Sequence, residues 1–121
     1  IISYVKNAKN LSTVQLKNKE GQQILSKINT SDYVVLLDEK GKQFSSKEFS
    51  NFLNEKNLTS TKYSVFVVGG AFGFSDEVYK RADYKLSLSK MTFTHQMIRV
   101  IFKEQLYRAL TIIKGEKYHN N

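Results

Sequence analysis

Apolar positions along the chain follow two rhythms, and the alternation between them predicts the fold. Ile1 to Val5 is a short candidate strand. Ser12 with Gln15 three residues on has the form of a capping box, and Ile24, Leu25 and Ile28 supply the buried stripe of the helix it opens. "YVVLL", residues 33 to 37, is an unbroken β-branched and aromatic run, as expected of a strand covered on both faces, and "DEKGK" is expected to turn it. Ser45 and Glu48 make a second capping box, followed by Phe49, Phe52 and Leu53 at helical spacing. "YSVFVV", residues 63 to 68, predicts another buried strand that runs into "GGAFGF", after which Ser75, Asp76 and Glu77 open a short helix. "YKLSLS" from Tyr84 predicts a third strand of this kind. From about Thr94 to Lys114 the pattern is that of a long helix, with Ile98, Ile101, Phe102, Leu106, Ala109, Leu110 and Ile113 assigned to one side and Gly115 as its C-cap. Strands alternating with helices need crossover connections, so the fold class is α/β, a mostly parallel sheet flanked by helices.

Composition narrows the function. With 121 residues, 40% of them hydrophobic, the chain is expected to form one small domain with a single core, residues 1–121. No apolar run approaches the roughly 20 residues of a membrane span, and no signal-peptide pattern is present. The lack of cysteine excludes disulfides, thiolate nucleophiles and Cys-type zinc sites, and fits a cytoplasmic protein. His95 and His119 are too far apart in sequence to suggest a metal site, so none is expected. Nineteen Lys and Arg against eleven Asp and Glu give a net charge of +8. That balance points to a polyanionic partner, nucleic acid first, against the plainer reading that the lysines only confer solubility. Residue 1 is Ile, so the chain is expected to begin inside a longer gene product.

Open α/β sheets place their ligands at the carboxyl ends of the strands. Leu37 ends one strand, Gly69, Gly70 and Gly73 end the next, and Leu88 to Phe93 end the third. The glycine loop has neither the dinucleotide nor the P-loop spacing and no lysine beside it, so a tight turn competes with a ligand site there, and a neutral or cationic ligand suits it better than a phosphate. In "LSLSKMTFTHQMIR", residues 86 to 99, the hydroxyls of Ser87, Ser89, Thr92 and Thr94 crowd one strand-to-helix joint. Thr92 or Thr94 is expected to cap the helix, which leaves the others for backbone bonds or a polar ligand.

"FVVGGAFGF", "LSLSKMTFTHQMIRVIFKEQLYRA" and the closing "GEKYH" resemble the ribosomal large-subunit methyltransferase H family, pseudouridine-N3 methyltransferases of the SPOUT superfamily, over nearly the whole chain. The resemblance implies a SPOUT α/β trefoil knot, S-adenosylmethionine as cofactor, ribosomal RNA as substrate in a large subunit or assembled ribosome, and a homodimer that completes the active site, with no membrane and no metal. It implies cofactor contacts from Leu37, Gly69, Gly70, Leu88, Ser89, Lys90, Met91, Thr92 and Phe93. It also implies that the family's first strand and first helix precede the segment present here. Thr94 stands where such sequences commonly carry proline, and Phe74 where they carry leucine.

The implied reaction methylates an imide nitrogen whose anion is the good nucleophile, so a cation beside the base helps. Among Arg99, Lys103 and Arg108, Arg99 is the first choice, because Lys103 reads as a solvated charge and Arg108 as an i,i+4 partner of Glu104. Tyr118 and His119 are implied on the substrate side of the site across the dimer, whereas His95 is expected to be structural. Two rival classes remain: an RNA-binding module without cofactor, and an adenine-nucleotide-binding module without methyltransferase activity.

Overall fold

The computed structural model describes residues 12–59, 63–69 and 73–118. The elements are α1 (Thr13–Ser26), β1 (Tyr33–Gln43), α2 (Ser46–Thr59), β2 (Ser64–Val68), α3 (Asp76–Arg81), β3 (Tyr84–Ser87) and α4 (His95–Lys114). The expected strand at residues 1 to 5 lies outside the described residues, as do Gly70 and His119.

The three strands form a parallel sheet in the order β2-β1-β3. Period-two alternation in β1 divides the core into two layers. Val34 and Leu36 pack with Ile24, Val67, Phe74 and Val78 on the face covered by α1 and α3. Val35 packs with Phe49, Leu53, Leu86 and Ala109 on the face covered by α2 and α4. The fully buried strand read from "YVVLL" therefore has a helix layer on each side. Aromatic rings fill much of the second layer, with Phe66 and Phe102 4.8 Å apart and Phe49 against both.

Both capping boxes form. Ser12 Oγ accepts from Gln15 N while Gln15 Oε1 accepts from Ser12 N, and Ser45 and Glu48 make the same reciprocal pair at 3.1 and 2.8 Å. Those bonds hold the Glu48 carboxyl below its usual range, led by the backbone N–H of Ser45. Thr94 caps α4, and Gly115 ends it in the left-handed conformation at φ 74°.

Three expectations are corrected. Residues 38 to 42 do not end the strand: β1 runs on to Gln43, with its pairing to β3 interrupted between Leu37 and Lys42. Ile28 packs against the core, but from beyond the end of α1. On α4, Leu110 and Ile113 are exposed with Met97, Val100 and Tyr107, because Phe102, Leu106 and Ala109 alone already span the face that meets the sheet layer.

The extension of β1 has a topological meaning. Leu86 pairs with Leu37 and also with Lys42, and Ser87 pairs with Gln43. One edge of a strand cannot hold two partners at one level, so residues 38 to 41 arch across β3 and Lys42–Gln43 run along its other edge. The crossing is tight: a Cβ on Gly41 would lie 2.6 Å from the carbonyl carbon of Lys85. Only glycine lets the two backbones approach this closely.

Candidate functional site

A cleft of about 750 Å³ opens at the carboxyl end of the sheet. Its walls are the end of β1 with the start of the arch (Leu37 to Lys40), the end of β2 (Val68 and Gly69), the loop into α3 (Gly73 and Phe74), Tyr79 of α3, and the joint between β3 and α4. Its volume is that of a small-molecule or cofactor site.

The hydroxyls of the joint shape its backbone. Ser87 Oγ donates to the carbonyl of Ser89 at 2.8 Å, Ser89 Oγ accepts from Met91 N at 3.0 Å, and Thr94 Oγ1 accepts from Met97 N at 3.3 Å. Three of the four are thus committed to holding residues 87 to 97 in a fixed curve. Thr92 stays exposed on the cleft wall. Met91 and Phe93 are also exposed there, 74% and 41%, which leaves apolar surface facing the cavity.

Of the residues singled out in the sequence, Leu37, Gly69, Leu88, Ser89, Met91, Thr92 and Phe93 converge on this one cleft. Lys90 belongs to the same segment but is not part of the lining. His95, expected to be structural, is the first residue of α4 and forms part of the wall. Arg99 is exposed one residue beyond Ile98, the last lining position. Tyr118 lies elsewhere: its hydroxyl donates to Glu104 Oε1 at 2.9 Å, its ring meets Tyr107 edge-on, and the Arg108 guanidinium sits 4.9 Å from its centroid. The bond to Glu104 raises the tyrosine pKa, and the ion pair with Glu104 raises that of Arg108. The i,i+4 pairing expected of Arg108 is present, at 2.9 Å.

The sequence reading missed Asp38 and Tyr79. Asp38 Oδ1 accepts the Lys40 N–H at 2.9 Å, and Asp38 Oδ2 accepts the Tyr79 hydroxyl at 2.5 Å. Burial, and then this bond to a carboxylate, push Tyr79 up to about 12. Asp38 was legible as the residue after a buried strand, in a position where ligand contacts fall. Tyr79 was not, since it approaches the cleft only through the packing of α3. Together with Glu39, Asp38 gives one wall an acidic character in a chain of net charge +8, a setting suited to a ligand with a cationic group.

Comparison with known proteins places the chain in a family. Residues 1–119 match the family model described as "Predicted SPOUT methyltransferase". The chain is 59% identical over 120 residues to the ribosomal RNA large subunit methyltransferase H of Christiangramia forsetii, covering 99% of this chain and 76% of that protein. It is 58% identical, with the same coverage, to the protein of that name from Parabacteroides distasonis. Among solved structures, Archaeoglobus fulgidus Nep1 bound to S-adenosylhomocysteine aligns with a TM-score of 0.49 at 16% identity, covering 70% of this chain and 39% of that one. With a family match over residues 1–119 and identity of this extent to its relatives, the chain belongs to the ribosomal RNA large subunit methyltransferase H family of SPOUT methyltransferases.

Proposed function

We propose that this protein methylates N3 of a pseudouridine in large-subunit (23S) ribosomal RNA, with S-adenosylmethionine as donor, in the cytoplasm. The observation that carries the reading is the convergence of seven sequence-identified residues on one cleft, in a chain 59% identical to a protein named for this class of reaction. The cleft fits the donor chemically: apolar side chains from Leu37, Leu88, Met91 and Phe93 suit an adenosine, backbone amides of the curved joint suit its base edge, and the acidic wall suits a sulfonium. When bound, S-adenosylmethionine supplies an electrophilic methyl group.

The chain's own residues then have distinct tasks. Ser87 and Ser89 keep the backbone of the joint in place, so its amides need no reorganisation on binding. Arg99, beside the rim, favours loss of the N3 proton by stabilising the imide anion. Tyr118 and His119 act on the RNA side, and because Tyr118 sits beside Glu104 and not at its own cleft, that role requires a neighbouring protomer. A homodimer through the exposed apolar side of α4 supplies one. The crossing of residues 38 to 41 over β3 suits the trefoil knot that the resemblance implies, and residues 1–121 act as a single SPOUT domain.

The reading is tested by titrating the protein calorimetrically with S-adenosylmethionine, then incubating it with the donor and large subunits from a strain lacking the gene. A single new methyl on a pseudouridine, located by mass spectrometry of the rRNA, is the expected result. Absence of cofactor binding, or preference for an adenine nucleotide in competition, sinks it.

A further inference from the structure

Beside the cleft lies a second groove, of about 360 Å³, formed where residues 40 to 42, at the end of the arch, pass residues 82 to 85. It is lined by Lys40, Lys42 and Lys85 with Tyr79 and Tyr84. Lys40 and Tyr79 line the cleft as well, so the two cavities share a wall. All three lysines are exposed, and none makes a salt bridge among the described residues. The one carboxylate of the groove, Asp83, is already engaged by the Val34 N–H at 2.8 Å and by Arg81 at 3.3 Å. Aromatic faces steady two of the cations: Lys85 Nζ stands 5.6 Å from the Tyr79 ring centroid and Lys42 Nζ 5.7 Å from that of Phe44, which in turn stacks on Tyr84.

Exposed cations without a salt bridge among the described residues, set in a concave strip, suit a phosphodiester backbone, where positioning contacts are electrostatic and indifferent to sequence. We propose that this groove holds the phosphates of the RNA strand flanking the target nucleotide, so that a strand crossing the shared wall delivers its next base to the cleft. The assignment rests on the methyltransferase reading and adds to it a location for the substrate backbone. The Tyr79–Asp38 bond ties that shared wall together, with Asp38 and Glu39 lining the cleft, Lys42 and Lys85 lining the groove, and Lys40 lining both.

The test compares the full chain with Lys42→Ala/Lys85→Ala and with Lys42→Arg/Lys85→Arg, using a labelled single-stranded RNA oligonucleotide over a salt series and, separately, inorganic phosphate. Removing one lysine–phosphate interaction lowers the slope of log affinity against log salt by about 0.7. The alanine pair is expected to flatten that slope by about 1.4 and to weaken RNA binding at least about fivefold per lysine at low salt. The arginine pair should retain both. S-adenosylmethionine affinity and thermal stability should match the unaltered chain in each variant, which separates failure of this groove from failure of the methyltransferase reading. An unchanged salt slope in a folded alanine pair overturns the proposal, as does a variant that loses inorganic phosphate but keeps its RNA affinity.

Discussion

Gly69 lies against the ring of Phe74, so closely that a Cβ at residue 69 would sit 2.8 Å from Phe74 Cε1. The small residue at the end of β2 is therefore required first by the core, since Phe74 is buried among Ile24, Leu36 and Val78. Gly69→Ala is expected to destabilise the fold by about 1–3 kcal/mol, the usual cost of overpacking. Phe74→Leu in the same chain should recover much of that loss by withdrawing the ring edge. Urea denaturation of the two single variants and the double variant gives the coupling directly. Additive effects would mean that Phe74 is not what excludes a side chain at residue 69.

A second expectation concerns the Tyr79–Asp38 bond. Tyr79 is shifted from its ordinary 10 up to about 12, by burial and then by Asp38. A group whose folded pKa is raised favours the folded state while it is protonated. Its contribution is therefore fully present below pH 10 and lost as pH rises from about 10 to about 12. Ultraviolet titration should show a late tyrosine transition that Tyr79→Phe removes, and Asp38→Asn should bring that transition part of the way back, leaving the share due to burial. A late transition of unchanged position in Asp38→Asn would assign the shift to burial alone.

Arg99→Ala separates chemistry from binding. Loss of an electrostatic interaction with a developing anion lowers the single-turnover methylation rate by roughly tenfold to a thousandfold. S-adenosylmethionine affinity should be unchanged. The defect should shrink as pH rises toward the pKa of N3, because the substrate then supplies its own anion. A pH-independent defect that saturating RNA rescues would make Arg99 a phosphate-positioning residue.

Val100 and Leu110 are 61% and 41% exposed on the side of α4 that the core does not use. If that side joins two protomers, Val100→Glu/Leu110→Glu should halve the mass seen by light scattering at micromolar concentration, with the helical circular dichroism intact. Activity should fall with the dimer. A monomeric wild-type chain of full activity would remove the shared site.

How much was legible beforehand follows from what local sequence can encode. Both capping boxes, the Gly115 cap and the buried strands were readable because each depends on residues within a few positions of one another. Leu37, Gly69 and residues 88 to 93 were singled out as strand ends, and the resemblance to the family sharpened that choice. The continuation of β1 past Leu37 was not readable. "DEKGK" has turn composition, and the pairing of Lys42 with Leu86 and the close approach of Gly41 to Lys85, both more than forty residues away in sequence, keep it in the strand. Leu110 and Ile113 were placed on the core side of α4 for a related reason, since periodicity counts apolar positions without saying which of them the fold will cover.

Gly41 and the arch it allows also fix an order of events during folding. A strand bonded on both edges by one earlier stretch of chain cannot simply add to a finished sheet margin. Either β3 enters end-first between Leu37 and Lys42, trailed by residues 88 to 121, or the arch closes over it last. Each route joins segments distant in sequence, and such pairings form slowly because loop entropy is given up before favourable interactions compensate. Until then the joint that follows β3 cannot take its place in the cleft wall. Competence to bind a ligand thus arrives in one late step, so newly made chains should pass from empty to functional without a half-built site between.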